Sequence, residues 1–230
     1  MSGLDINTPA GRETLADEMR AARAFEDQFG VRYIHTKTDS TAVVDAVIIN
    51  KQNEVGGVVL ASSRYNCTVD TFMTTWGAEW LLTWRKLMGG ARVARDMRVT
   101  LYGFIFVVDD HVLLIKKLYD PTKPTREGRW ITSYRTDDTL TQGTVNGGTA
   151  FRRNAFIDIE RATRVPVPTD AERAGHTNGF VGYDSEGHFV HYCRCGNDAG
   201  HGFGASPLKE QLGTWFCNRH KGEGDGIRQA

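Results

Sequence analysis

Residues 41–66 read TAVVDAVIINKQNEVGGVVLASSRYN. The stretch divides at the polar tract NKQNE into two runs rich in valine, isoleucine and leucine, the composition of two strands joined by a turn. Asp45 interrupts the first run. A carboxylate at that point fits two roles: a metal ligand, or a cap or salt bridge at a strand end. Working outward, VRYIHTK at 31–37 adds a strand before it, and residues 14–29 precede that with Leu15, Met19, Ala22 and Ala24 or Phe25 at helical spacing and Gly30 as a stop. Downstream, DTFMTTWGAEWLLTWRKLMGG at 70–90 predicts a helix with a wide apolar face and a double-glycine end. MRVTLYGFIFVV and HVLLIKKLYD, at 97–108 and 111–120, predict two further strands. The order is helix, three strands, helix, two strands, an α/β pattern.

The chain has 230 residues, 40% of them hydrophobic and 24% charged, enough for one ordinary domain and a smaller one. Lysine and arginine total 28, as do aspartate and glutamate, and the pI is near 7.1. No overall basic field points to nucleic acid or an anionic membrane, so any such binding must come from a local patch. The first twenty residues are polar and lack the layout of a signal peptide, and VTLYGFIFVV falls short of the roughly 20 apolar residues of a membrane span. These features lead us to expect an intracellular, cytoplasmic protein without a membrane partner.

Four cysteines in that setting are not expected to form a disulfide framework. Cys67 stands apart and reads as a small buried thiol. The others lie in HYCRCGNDAGHGFG at 191–204 and TWFCNRH at 214–220. Cys193 with Cys195 forms C-x-C, and Cys217 with His220 forms C-x-x-H. Zinc takes four soft or borderline ligands in a tetrahedron, and two short pairs on facing turns supply two corners each. His191 and His201 are substitute ligands. Four good ligands favour a closed structural site over a catalytic one with an open position. In a segment poor in large aliphatic residues such a metal replaces a missing core.

Composition shifts place a linker near 166–175, giving a core of residues 1–167 with a turn-rich extension from about 121, and a small zinc-ribbon-like, β-rich module of residues 168–230. In the extension, Asn146, Gly147 and Gly148 suit a tight turn whose backbone N–H groups face an anion, beside Arg152 and Arg153. Arg85, Lys86, Arg92, Arg95 and Arg98 offer a second phosphate-facing stripe. The alternative for both is a solvated basic surface.

Up to Asp120 the layout resembles the PD-(D/E)XK nuclease fold, a central mixed sheet flanked by helices. The resemblance implies a helix glutamate, a strand aspartate and an E-x-K on the next strand, which bind Mg or Mn and activate water on a phosphodiester. Glu26 matches the helix glutamate and Asp45 the strand aspartate. On the third element the match fails, because Leu60 and Ser62 stand where the glutamate and lysine are expected, and Ala61 and Ser63 are equally inert. Glu54, Glu79, Arg85 and Lys86 are the groups that could replace them from elsewhere. The segment TVNGGTAFRRNAFIDI resembles phage-encoded proteins of this class. The resemblance implies a DNA-binding protein with a degenerate nuclease core. Its alternatives are an active divalent-metal nuclease with migrated residues and a protein-binding inhibitor or adaptor with a protein partner.

Overall fold

The computed structural model describes residues 8–36, 42–123, 130–142, 149–206 and 211–229. The chain forms two compact units, one containing Thr14–Val167 and the other Thr8–Glu13 with Pro168–Ala230.

The larger unit is mixed α/β. Helix α1 (Pro9–Phe29) leads into β1 (Arg32–His35), β2 (Ala46–Ile49) and β3 (Val55–Arg64). Then come α2 (Val69–Thr74), β4 (Glu79–Thr83), α3 (Trp84–Met97), β5 (Thr100–Val107) and β6 (Val112–Tyr119). The unit ends with β7 (Tyr134–Gln142), β8 (Thr149–Asp158) and β9 (Thr163–Pro166). Six strands make the central sheet in the order β1-β2-β3-β5-β6-β9, and β4-β8-β7 make a second, three-stranded sheet. All central pairs are antiparallel except β3 and β5, which run parallel. A parallel pair needs a crossover connection, and here the chain between β3 and β5 contains α2, β4 and α3.

The two faces of the central sheet carry separate cores. On one, Ala21, Ala24 and Phe25 of α1 pack with Ala46, Ile48, Val59, Phe104 and Phe106. On the other, Val58, Leu60, Leu101 and Ile105 meet Leu87 and Ala91 of α3 and Trp80 and Ile157 of the second sheet. Burial on both faces explains why β3 and β5 read as nearly continuous apolar runs. On α1 the buried stripe differs from the expected one. Met19 is 41% exposed, whereas Asp17 and Arg20 are buried as an ion pair with each other. The stripe therefore runs through charged residues that hydropathy alone assigns to water.

The single helix expected over residues 70–90 is corrected. Helix α2 ends at Thr74, Gly77 and Ala78 take left-handed backbone (φ +62° and +55°), and β4 follows. The physical reason is pairing: β4 lies antiparallel to β8, with Trp80 opposite Ile157 and Leu82 opposite Ala155. Trp80 and Leu82 point inward at a spacing of two, a pattern that a short apolar run shares with a helix face. Thr83 then caps α3, its hydroxyl accepting from Lys86 N at 3.3 Å. The double glycine does not stop this helix, which passes through it to Met97, with Gly90 lying close against Leu60 and Leu101. Polar residues 50–54 form the expected turn, with Asn53 left-handed and Glu54 N donating to Asn50 Oδ1 at 2.9 Å.

In the second unit, the four-residue helix α4 (Asp170–Arg173) carries a capping box between Thr169 and Glu172. Strand β10 (Val181–Tyr183) pairs with β11 (Phe189–His191), and β12 (His201–Phe203) with β13 (Thr214–Phe216), both antiparallel. A 3-10 helix over Lys221–Gln229 follows. The core here is small: Cys193, Ala199, Phe203, Phe216 and Cys217.

Candidate functional site

Asp45 stands just ahead of β2, where its backbone N–H donates to Val59 O at 2.8 Å. Its side chain reaches across to β3, and Oδ2 accepts from Ala61 N at 2.7 Å. From α3, Lys86 Nζ approaches the same carboxylate, 2.7 Å from Oδ2 and 3.0 Å from Oδ1. The two side chains are 31% and 24% exposed, so the pair is partly desolvated yet open to solvent. Lys86, one of the groups that the sequence offered as a replacement from the following helix, is thus the partner of Asp45.

The acid of α1 that couples to this pair is Glu18. Burial, and next the neighbouring Asp45 carboxylate, push its carboxyl up to about 7, while Lys86 pulls the other way. Glu26 lies two turns further on and is engaged elsewhere: its Oε1 accepts from Tyr33 N at 2.6 Å, capping the start of β1. A trace of Glu18 exists in the sequence, because residues 18, 21, 22 and 25 share one helical face and an acid among two alanines and a phenylalanine is conspicuous there. Glu18 lines a cavity of about 10 Å³ with Tyr33, Ala61, Ser62 and Ser63, the space of a single water or ion. His35, whose Nε2 is buried without a hydrogen bond, is held below its usual range by burial, against the pull of Asp45 and Glu26.

The inert third element has a structural explanation. Leu60 is fully buried in the α3-side core, and Ser62 Oγ accepts the indole N–H of Trp80 at 3.0 Å. Both positions serve packing of the second sheet on the first. Of the proposed substitutes, Glu54 lies in the exposed 50–54 turn, and Glu79 lies on β4, not on a helix, where Arg135 binds both its oxygens at 2.8 and 2.6 Å.

Arg85 is exposed on α3, while Arg92 and Arg95 turn to Asp96. Arg152 and Arg153 are neighbours on β8, so they point to opposite faces of the three-stranded sheet. Arg153 lies over the Trp84 ring at 5.7 Å and donates to Thr136 Oγ1 at 3.3 Å. Asn146, Gly147 and Gly148 lie outside the described residues.

In the second unit, Cys193, Cys195, Cys217 and His220 come together with all ligand atoms within 4.8 Å of one another. Cys195 Sγ is 3.7 Å from Cys217 Sγ, and His220 Nδ1 is 3.3 Å from Cys193 Sγ and 3.4 Å from Cys217 Sγ. A tetrahedron with Zn–S of about 2.3 Å has an S to S edge of about 3.8 Å and slightly shorter S to N edges. The set is therefore compatible with a structural zinc site. The bond from the Cys195 thiol favours the Cys217 thiolate and lowers its pKa, and the same bond raises that of Cys195. The substitute ligands are engaged elsewhere: His191 stacks flat on Trp215 with centroids 3.9 Å apart, and His201 Nε2 meets Asn218 Oδ1 at 2.7 Å.

Among the described residues, no helix is long and apolar enough to cross a membrane. Comparison with models of known families, with curated proteins and with solved structures finds no match to this chain.

Proposed function

We propose that the protein is a divalent-cation-dependent nucleic-acid phosphodiesterase with a PD-(D/E)XK-like core, in which Asp45, Glu18 and Lys86 form the working site. The observation that carries this reading is the approach of Lys86 Nζ to 2.7 Å from Asp45 at the head of β2. It supplies from α3 the lysine that β3 lacks. The order of one helix, three antiparallel strands, a crossover and a strand parallel to the third supports the same reading.

The donor set suits a hard cation. Burial first, and the charge of Asp45 second, make Glu18 resist ionisation, and a divalent ion would favour its charged form. Magnesium keeps several waters and needs only one or two protein carboxylates, so the absence of an acid on β3 does not disqualify the site. A bound cation would supply Lewis acidity and a water of lowered pKa. The chain contributes the rest: Ala61 N–H fixes the Asp45 carboxylate, and the Lys86 ammonium stands ready to balance charge gathering on a phosphate.

The test is cleavage of supercoiled, linear and single-stranded DNA with Mg²⁺ or Mn²⁺, with bound DNA scored on the same gel. Cleavage reduced at least about a hundredfold in Asp45→Ala and in Lys86→Met is expected. No cleavage by the parent chain, or undiminished cleavage by both variants, overturns the reading. One observation favours a second reading, a DNA-binding protein that does not cut: Leu60, Ala61, Ser62 and Ser63 place no carboxylate on β3. It predicts salt-sensitive retention without cleavage. The Cys3His cluster has a folding role in either case.

A further inference from the structure

A second concavity lies in the larger unit, an open cleft of about 350 Å³ lined by Arg64, Phe72, Trp76, Glu79, Leu81 and Phe156. Its size falls within the range of small-molecule sites, about 300–1,000 Å³. Its lining is aromatic and aliphatic except for two charged groups, and those two are in unequal states.

Glu79 is already satisfied, with both oxygens bound by Arg135, whose guanidinium in turn lies 3.9 Å above the Phe156 ring. Arg64 has no such partner. It closes β3, is half-buried, and its described hydrogen bond is a long one, from Nη2 to Leu81 O at 3.5 Å. A guanidinium carries five donors, and among the described residues no carboxylate forms an ion pair with it. Burial lowers its pKa, and the titratable group that faces it, Cys67, is a thiol pushed up by burial. A half-buried cation that forms no ion pair among the described residues, at the wall of an open cleft, calls for an anion.

The other distinctive wall is Trp76. It is 45% exposed and packs T-shaped against Phe72, with ring centroids 5.5 Å apart at 90°. A half-exposed indole in the wall of an open cleft is a stacking platform for a planar ring. The ligand that answers both walls carries a flat aromatic group and an anionic one.

We infer that this cleft is a nucleotide subsite, in which an unpaired nucleobase stacks on Trp76 while its phosphate is held by Arg64. The choice of a nucleotide among planar anions rests on the phosphodiesterase reading above. Strand β3 links the two places: its Ala61 N–H holds Asp45, and Arg64 stands three residues along, about 10 Å at strand rise. The cleft favours single-stranded or frayed substrate, because a stacked duplex cannot present a free base face.

Calorimetric titration of the full chain with thymidine 5′-monophosphate and with a short oligothymidylate tests this. The expected result is that Trp76→Ala weakens the oligothymidylate about 5- to 100-fold, while Trp76→Phe retains most of the binding. Arg64→Gln should weaken both probes and flatten their salt dependence by roughly one ion contact. Unfolding midpoints of the variants establish that they fold. Binding by the parent chain that neither Trp76→Ala nor Arg64→Gln alters overturns the proposal, as does the absence of binding of either probe. The two readings fail separately. Nucleotide binding lost in these variants, from a chain that cleaves nothing, keeps the subsite and removes the phosphodiesterase. Cleavage that depends on Asp45 but keeps its KM in both variants does the reverse.

Discussion

Lys86 Nζ and Asp45 Oδ2 lie 2.7 Å apart although 41 positions separate them in the chain. The contact ties α3 to the head of β2, and the same carboxylate accepts the Ala61 N–H. Asp45 is thus a junction of three elements.

That junction makes the two partners unequal. Asp45→Ala leaves the Ala61 N–H without its acceptor and should destabilise the protein by about 1–3 kcal/mol. Lys86→Met removes only a partly exposed ion pair and should cost less than about 1 kcal/mol. A double-mutant cycle by urea denaturation checks this. A Lys86 variant as damaging as the Asp45 variant would contradict the assignment.

Glu18 gives a pH signature of definite sign. Its carboxyl sits near 7 in the folded chain against an ordinary 4.5, so between those values the folded state binds more protons than the unfolded one. Stability should therefore fall as pH rises from about 4.5 to about 7, by up to roughly 3 kcal/mol. Glu18→Gln removes that loss, stabilising the metal-free chain at pH 8 and having little effect at pH 4. Thermal unfolding of both proteins across this range is the measurement, and added Mg²⁺ should narrow the difference.

The Cys3His cluster predicts roughly one equivalent of zinc in the purified protein. Replacing Cys193 and Cys217 together by serine should abolish it. Removal of the metal from the parent chain should unfold residues 168–230, because structural zinc contributes on the order of 10–16 kcal/mol to modules with so small a core. Elemental analysis and hydrogen exchange report the two effects, and full zinc retention by the double variant would refute the ligand set.

Gly103 on β5 lies beneath the Trp80 ring, where an added Cβ would collide with the indole. Gly103→Ala should displace Trp80 and break its bond to Ser62, at a cost of about 1–3 kcal/mol. Denaturant unfolding followed by tryptophan fluorescence checks this.

Much of this architecture was legible along the chain. Residues 31–37, 41–50, 55–64, 97–108 and 111–120 all contain strands, because β-branched apolar runs bounded by turn residues suit little else. The Cys3His set was legible for a related reason: each pair of ligands sits on one short turn, so spacing alone brings two corners together.

What escaped was everything that depends on how distant elements meet. Residues 79–83 read as helix because the three apolar residues Trp80, Leu81 and Leu82 have no period of their own, and only β8, more than seventy positions on, makes the segment a strand. Glu26 and Glu18 are equivalent as helix glutamates, but the rotation and depth of α1 put Glu18 beside Asp45 and spend Glu26 on Tyr33 N. Arg152 and Arg153 look like a pair until the pleat of β8 separates them. Local spacing determined the strands and the metal ligands, because their geometry closes within a few residues. The tertiary structure alone decided which charges share a site, because side chains brought together by packing carry no mark of that partnership in their own neighbourhood of the chain.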